Sequence, residues 1–511
     1  MPTPTLRTQV LVVGAGPTGA VLALELAHHG VPCLVVERAI APPRHPGVDR
    51  LTGHAIDLLR RLGLADLVRR HSAGAGPDDG PDGVEWRTCL DDEPLLVSPG
   101  PADAGAQLRI AAAELTRRLR DELRAHPLVE LREGWTFTGL RIEPGGAVAN
   151  MLEVRSGARH AVAARHLAGC DGAQSTVRRC LEVPMDGLIN GHSPAVQYCS
   201  VFFRSADPRL PAADRRRGTV VVGGLTSVSR GDGDSWVAHL PVGADEPVTT
   251  DPVAMLRSRL GSGLDVPEVI AVAEWDDALA VADAYRRGPV FLAGEAAHRF
   301  HPAGELADTS LADAVDLGWK LAAAINGWGG PGLLESYESE RRPLALLDRE
   351  LLARALETRR RFGRLSAAGA APELLAGLLR QEAHRPDAGA LPARHATSAV
   401  VWHDGAARSA VRPGGRAPDV RLDGGGPLAD RFGPELTLVD LTGDGAGAPL
   451  AAAAAVRGIP VRHLPVADAA VRAGWDRHLA LVRPDRHVAW CADAPPNDWN
   501  AVLDLVSGKT T

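Results

Sequence analysis

The chain has 511 residues, too many for one hydrophobic core, so two or three domains are expected. Its 45% hydrophobic and 23% charged residues suit a folded soluble protein, and a net charge of -7 without a concentrated basic stripe argues against a nucleic-acid partner. No apolar run reaches membrane-span length and the six cysteines are too scattered for a metal set or a disulfide framework, so a cytoplasmic protein without a metal is expected.

A short apolar strand at 10–13 runs into Gly14-Ala15-Gly16-Pro17-Thr18-Gly19, followed by an apolar helix and a second strand, 33–36, ending on Glu37-Arg38. This is a βαβ unit with a GxGxxG turn and an acid about 20 positions on, the fingerprint of a dinucleotide site. Gly14 permits the tight turn, Gly16 lets the backbone approach a pyrophosphate, and Gly19 lets helix and strand pack closely. The helix N-terminus, with Pro17 and Thr18 in its first turn, offers N–H groups and a positive dipole end to phosphates. Glu37 suits the hydroxyls of a ribose.

Further along, 55–64 has the periodicity of an amphipathic helix continued by Leu67 and Val68, 74–83 is a Pro/Gly/Asp-rich surface excursion, and 110–123 is an Ala/Leu/Arg helix. Short strands and turns then lead to Asp171-Gly172. From about 184 the β-formers at 196–204, 219–224 and 236–241, with a turn signal at 230–233, predict an inserted antiparallel sheet. A buried strand at 290–293 returns to the nucleotide domain, followed by helices over 311–325 and from 333 onward. Residues 386–418 read as a Pro/Gly/Ala-rich linker. Beyond it a β-α-β-β-β-α order over 436–506 resembles a thioredoxin-like fold, without the CxxC that redox exchange requires.

The expected fold is therefore α/β: a Rossmann-like nucleotide domain from 1–183 and 281–385, a β-sheet substrate domain at 184–280, a linker at 386–418 and a thioredoxin-like unit at 419–511.

Two more motifs follow the glycine turn in order. Asp171-Gly172-Ala173-Gln174-Ser175-Thr176-Val177-Arg178 fits DGxxSxVR, and 290–298 reads Val-Phe-Leu-Ala-Gly-Glu-Ala-Ala-His, continuing through Pro302 to 313–321. With Ser336-Tyr337-Glu338-Ser339-Glu340-Arg341-Arg342-Pro343, these resemble the single-component FAD-dependent aromatic hydroxylases, the group A flavoprotein monooxygenases. The three-domain layout most resembles the branch that oxidises polycyclic aromatic polyketides.

The resemblance implies FAD as cofactor, NAD(P)H as co-substrate, a polycyclic aromatic substrate in antibiotic-type metabolism, no membrane, and room for a homodimer. It implies that Gly14, Gly16, Pro17, Thr18 and Gly19 hold the pyrophosphate, Glu37 the ribose and Arg38 the adenine edge. Arg109, Asp171, Arg178, Gly294, Glu295, Pro302 and Gly304 complete the implied cofactor set.

Four departures from the family pattern fall on the flavin half. The usual Gly-Asp is Gly294-Glu295, and the usual Pro-x-Gly-Gly-Gln-Gly-x-Asn loop is Pro302-Ala303-Gly304-Glu305-Leu306-Ala307-Asp308. Ala112 stands where a glutamine is common, and the Pro46-Gly47-Val48 segment lacks its arginine. Glu305 and Asp308 bring carboxylates toward a site that favours an anion, a conflict of about 1–4 kcal/mol between water and surface dielectrics.

On the inserted sheet, Tyr198, Phe202 and Trp236 are expected substrate contacts. His301, Glu295, Glu305 and Asp308 are the groups available for acid/base work, while His298 reads as core. Two rivals to oxygenation stand beside it: a redox-neutral cyclisation, dehydration or rearrangement with weakened FAD binding, and a non-catalytic partner of an oxygenase.

Overall fold

The computed structural model describes residues 5–42, 48–51, 53–71, 84–98, 108–188, 197–210, 219–224, 226–230, 234–242, 251–276, 279–300, 306–383, 394–402 and 409–509. The first strand, Thr5–Val13, lies inside the largest sheet, paired in parallel with Cys33–Glu37 on one side and Arg159–Gly169 on the other. Val129–Glu133 and Val290–Leu292 extend the parallel set outward. Numbered along the chain, the five parallel strands run 3-2-1-4-5. Their buried runs, Val10 to Val13 and Cys33 to Val36, are continuously apolar because a parallel sheet is covered on both faces. The order reverses between the first and fourth strands, so the ligand crevice of such a sheet falls at the carboxyl end of Thr5–Val13.

The helix Pro17–His28 packs on Leu306–Ile325 at close range: a Cβ on Gly318 would stand 2.4 Å from Glu25 Cγ. The helix expected at 110–123 begins later, as Ala112–Ala125. Leu108–Ala111 is instead a strand paired antiparallel with Val48–Leu51, which buries Ile110. The amphipathic stretch from 55 divides into two helices, Gly53–Arg61 and Ala65–Arg70. The segments 74–83 and 231–233 lie outside the described residues.

A second sheet has seven strands in the order Glu268–Asp276, Gln197–Arg204, Ser235–Val242, Thr226–Arg230, Thr219–Val222, Val84–Arg87 and Leu96–Ser98. The last two come from well before position 184, so this sheet is assembled from two stretches of chain. One of its faces buries Cys199, Val201, Phe203, Trp236 and Leu240 with Met255, Leu256 and Leu260 of the helix Pro252–Leu260. The 37-residue helix Pro331–Ala367, about 55 Å long at 1.5 Å per residue, packs its first half on the nucleotide domain and meets the second sheet through Arg359 to Gly363. Phe362 of that helix meets Trp86 with ring centroids 5.5 Å apart.

The C-terminal unit is a four-stranded sheet, Val461–Pro465, Leu436–Asp440, Leu479–Val482 and Val488–Ala492, with the first pair parallel and the rest antiparallel. This is the expected thioredoxin-like arrangement, with Ala448–Val456 and Trp499–Val506 packed against one face. That same core takes in Trp319, Trp328 and Leu333 of the nucleotide domain, so the two units share apolar surface. Within 386–418, His395, Ser398, Val400 and Val411 are buried, which ties this stretch to its neighbours. Among the described residues no helix is long and apolar enough to cross a membrane.

Candidate nucleotide and substrate site

Gly14 adopts φ +106°, and a Cβ there would lie 2.3 Å from the Cys170 carbonyl oxygen, which only glycine permits. A Cβ on Gly19 would stand 1.9 Å from the Gly14 oxygen, so helix and strand touch through bare backbone. At Gly16 an added Cβ would meet nothing within 4 Å among the described residues. Gly16 caps the helix Pro17–His28, whose first turn has neither a side-chain cap nor an acid. Open space, free N–H groups and an uncountered dipole end coincide there, and that combination fits a pyrophosphate.

Glu37 stands at the carboxyl end of the second strand. Its carboxylate accepts from the Ala15 N–H at 2.8 Å and the Ala39 N–H at 2.9 Å, with the Arg120 guanidinium 3.2 Å away. Arg120 is buried and also donates to the Ala15 carbonyl at 3.1 Å and to Glu133 at 3.1 Å. It braces the glycine turn and Glu37 together, a duty invisible in the chain because Arg120 reads as one more basic residue on an Ala/Leu/Arg helix. Arg38 is exposed beside Glu37, and Arg109 lies on its strand opposite Arg50.

The second and third motifs close the same crevice. Asp171 accepts from the Ser175 hydroxyl at 2.5 Å and from the Thr176 and Val177 N–H groups at 2.7 and 3.0 Å, capping the short helix Thr176–Cys180. Arg178 is buried and donates to the Ala296 and Ala173 carbonyls at 2.9 and 3.0 Å, so it stitches the Asp171-Gly172 turn to the Gly294 turn. Gly294, at φ +62°, packs on the glycine helix: its Cβ would fall 2.5 Å from Thr18 Oγ1.

Glu295 is exposed at this junction, its Oε2 3.9 Å from where a Gly172 Cβ would stand. Behind it, Asp313 accepts from the Gly294 N–H at 3.0 Å, pairs with His298 Nε2 at 2.9 Å and takes the Arg341 guanidinium at 2.7 Å. Burial would raise the Asp313 carboxyl, but Arg341 and His298 hold it below its ordinary range. His298 is thus a buried strut of this turn, as its core reading implied.

Asp308 occupies the first turn of Leu306–Ile325, where the helix dipole favours an acid, and Arg416 lies within electrostatic reach. Its charge is therefore balanced by neighbours in this structure. His301, Pro302, Gly304 and Glu305 lie outside the described residues.

Tyr198 and Phe202 share one face of the second sheet by strand alternation. Tyr198 stacks on Trp275 with centroids 4.3 Å apart and planes 6° from parallel. The Trp275 indole donates to Ser200 Oγ at 2.6 Å, and that hydroxyl is 2.7 Å from His239 Nδ1. Aromatic rings beside hydroxyls suit a flat ligand with a few polar groups. Trp236 does not join them. It pairs across from Phe203, faces the helix Pro252–Leu260 and donates its indole N–H to the Ser205 carbonyl at 3.0 Å, which makes it core.

A separate cleft touching Thr8, Pro32, Leu128 and Gly146 opens at the amino ends of the parallel strands, the wrong end for the ligand of such a sheet. A buried ionic cluster joins the nucleotide domain to the C-terminal unit. Arg483 donates to Glu340 at 2.7 Å, to Asp316 at 3.0 Å and to Asp485 at 2.5 Å, while Lys320 pairs with Asp316 and Glu340 at 2.9 and 2.6 Å. His395 and His487 lie beside it, tilted 39° to each other with ring centroids 4.0 Å apart. The three carboxylates are already engaged by the protein's own two cations.

A 3-2-1-4-5 parallel sheet with a bare glycine cradle, joined to an aromatic-faced sheet, defines a dinucleotide-binding enzyme of flavoprotein type. The FAD binding domain family matches residues 7–347, and the C-terminal domain of aromatic-ring hydroxylases matches 410–509. The chain belongs to this FAD-binding aromatic-ring hydroxylase family and is an enzyme of the FAD-dependent monooxygenase type. Aklavinone 12-hydroxylase RdmE from Streptomyces purpurascens is 30% identical over 98% of this chain and 98% of its own length. A dialkyldecalin synthase from Streptomyces rugosporus is 29% identical over 65% of this chain and 69% of its own. Among solved structures, the rebeccamycin biosynthetic enzyme RebC with reduced flavin superposes with a TM-score of 0.84 at 29% identity, covering 99% of this chain and 100% of that one.

Proposed function

We propose that this enzyme uses FAD and NAD(P)H to place one oxygen atom on a polycyclic aromatic, polyketide-like substrate held against the Tyr198–Trp275 face. The observation that carries the reading is the open space in front of Gly16, bounded by free helix N–H groups and next to an aromatic sheet. Bound FAD supplies reduction by NAD(P)H and the activation of O₂. The chain supplies position. The turn 14–19 anchors the pyrophosphate, Glu37 accepts from the ribose, and Arg120 keeps both in register. Tyr198, Trp275 and Phe202 stack the substrate, and Ser200 with His239 offers hydrogen bonds to its oxygens. The C-terminal part of the helix Pro331–Ala367, through Arg359 to Gly363, closes one end of this face.

The test is NAD(P)H oxidation by FAD-loaded protein with a panel of hydroxylated anthraquinones and naphthoquinones. Substrate-stimulated oxidation with a product heavier by one oxygen atom supports the proposal. Product formed without NAD(P)H would replace it with the second reading, a redox-neutral cyclisation, dehydration or rearrangement. That reading is favoured by Glu295, a longer acid than the family's aspartate at the same turn, whose exposed carboxylate is free to move a proton. The dialkyldecalin synthase similarity supports it too.

A further inference from the structure

The long helix Pro331–Ala367 turns an inward stripe toward the seam between the nucleotide domain and the second sheet. Leu356 belongs to the first core and Phe362 to the cluster around Trp86, and both are buried. Arg359 stands midway, three residues from each and on the same stripe. Its backbone is pressed onto the sheet, since a Cβ on Gly224 would lie 2.4 Å from the Arg359 carbonyl oxygen. Gly223 and Gly224 form the turn at the end of the sheet where Tyr198 pairs with Pro241 and Trp275.

The Arg359 side chain lies deep enough that burial lowers its pKa, yet it stays partly accessible, so a ligand can reach it. Among the described residues it makes no hydrogen bond and no ion pair. Among the described residues the titratable group within its electrostatic reach is the Tyr198 phenol, and no carboxylate balances it. On the same sheet face Ser227, opposite His239, has a buried hydroxyl without a hydrogen-bond partner among the described residues. An enclosed cation without a counter-charge is costly, and proteins keep such groups where a ligand completes them.

We propose that Arg359 anchors an anionic group, a carboxylate or an ionised phenol, on the aromatic ligand. The inference rests on the substrate face assigned above and narrows the substrate class to acidic polycyclic aromatics. A planar guanidinium binds a carboxylate through two parallel N–H donors, and Tyr198 and Trp275 stack the attached rings. Arg359 is thus a positioning residue that sets how the ring system enters.

The test is a tryptophan-fluorescence titration of the full chain with anthraquinone-2-carboxylate and its carboxamide, repeated with 2-naphthoate and 2-naphthamide. Wild type binds each acid roughly tenfold or more tighter than its neutral amide. Arg359→Gln binds acid and amide alike, Arg359→Lys keeps part of the preference, and all three take up FAD equally. Equal affinity of wild type for acid and amide, no binding of any of the four, or an unchanged preference in Arg359→Gln overturns the proposal. Loss of FAD uptake in Arg359→Gln would also overturn it, by assigning the arginine to the nucleotide. Binding needs no turnover, so an acid preference in a chain that never consumes NAD(P)H would sink oxygenation and leave Arg359 in place.

Discussion

Gly16 and Gly19 stand three residues apart, yet an added methyl group meets open space at one and the Gly14 oxygen, 1.9 Å away, at the other. Gly16 has φ -72°, which alanine adopts freely. Gly16→Ala is therefore expected to fold with an unchanged melting temperature and to bind FAD about tenfold or more weakly, because the methyl takes the pyrophosphate's space. Gly19→Ala is expected to lose stability itself, by about 1–3 kcal/mol or more, as overpacked sites do. Thermal melts and FAD titrations of both variants check this, and equal behaviour of the two would contradict it. The close packing at Gly19 was legible in the chain because a glycine's role follows from its own lack of a Cβ. Arg120 was not legible: only the packing of Ala112–Ala125 against the turn buries it. Nor was the separation of Trp236 from Tyr198, which depends on the register pairing Trp236 with Phe203.

At the scale of elements, the helix Pro17–His28 is pinned from outside the site. His29 has a carboxylate on each ring nitrogen, Glu25 at 2.8 Å and Glu435 at 2.7 Å, and Glu25 also pairs with Arg61 of the helix Gly53–Arg61. Burial opposes the charged imidazole, but the hydrogen bonds to Glu25 and Glu435 overcome it and hold His29 up at about 9. Burial likewise opposes ionised Glu25, and Arg61 and His29 hold it down at about 2. Because His29 is raised on folding, its stabilisation is full below about pH 6.5 and is lost as pH rises through about 9, roughly 3 kcal/mol in all. Glu25 acts in the opposite window, losing its contribution as pH falls from about 4.5 toward 2. Melts from pH 7 to 10 are expected to fall more steeply for wild type than for His29→Gln, and parallel curves would refute the assignment. Long periodic elements such as Leu306–Ile325 were readable in the chain. The strands Val84–Arg87 and Leu96–Ser98 were missed, because Val84–Arg87 joins the sheet only through Thr219–Val222, more than a hundred residues away, and Leu96–Ser98 only by pairing with Val84–Trp86 in turn.

Across the whole molecule, the C-terminal unit is bound to the nucleotide domain by apolar contact around Trp319 and by the Arg483 cluster. Removing one member leaves buried carboxylates without their cation, a loss of about 3–5 kcal/mol. Arg483→Met is expected to turn one cooperative unfolding transition into two, read by calorimetry, with the C-terminal unit separating first. A single transition at an unchanged temperature would show that the cluster does not couple the domains. The stretch 386–418 reads as a linker from its Pro/Gly content, but composition does not report what His395, Ser398 and Val400 pack against.

The central claim is that the cradle at Gly16 takes FAD even though the chemistry of the neighbouring turn has shifted to Glu295. The most direct measurement is the visible absorption spectrum of the purified protein after incubation with FAD and removal of the excess. Oxidised-flavin bands at close to one FAD per chain are predicted. A colourless protein that retains no FAD would contradict the account and leave the fold without its oxygenase chemistry.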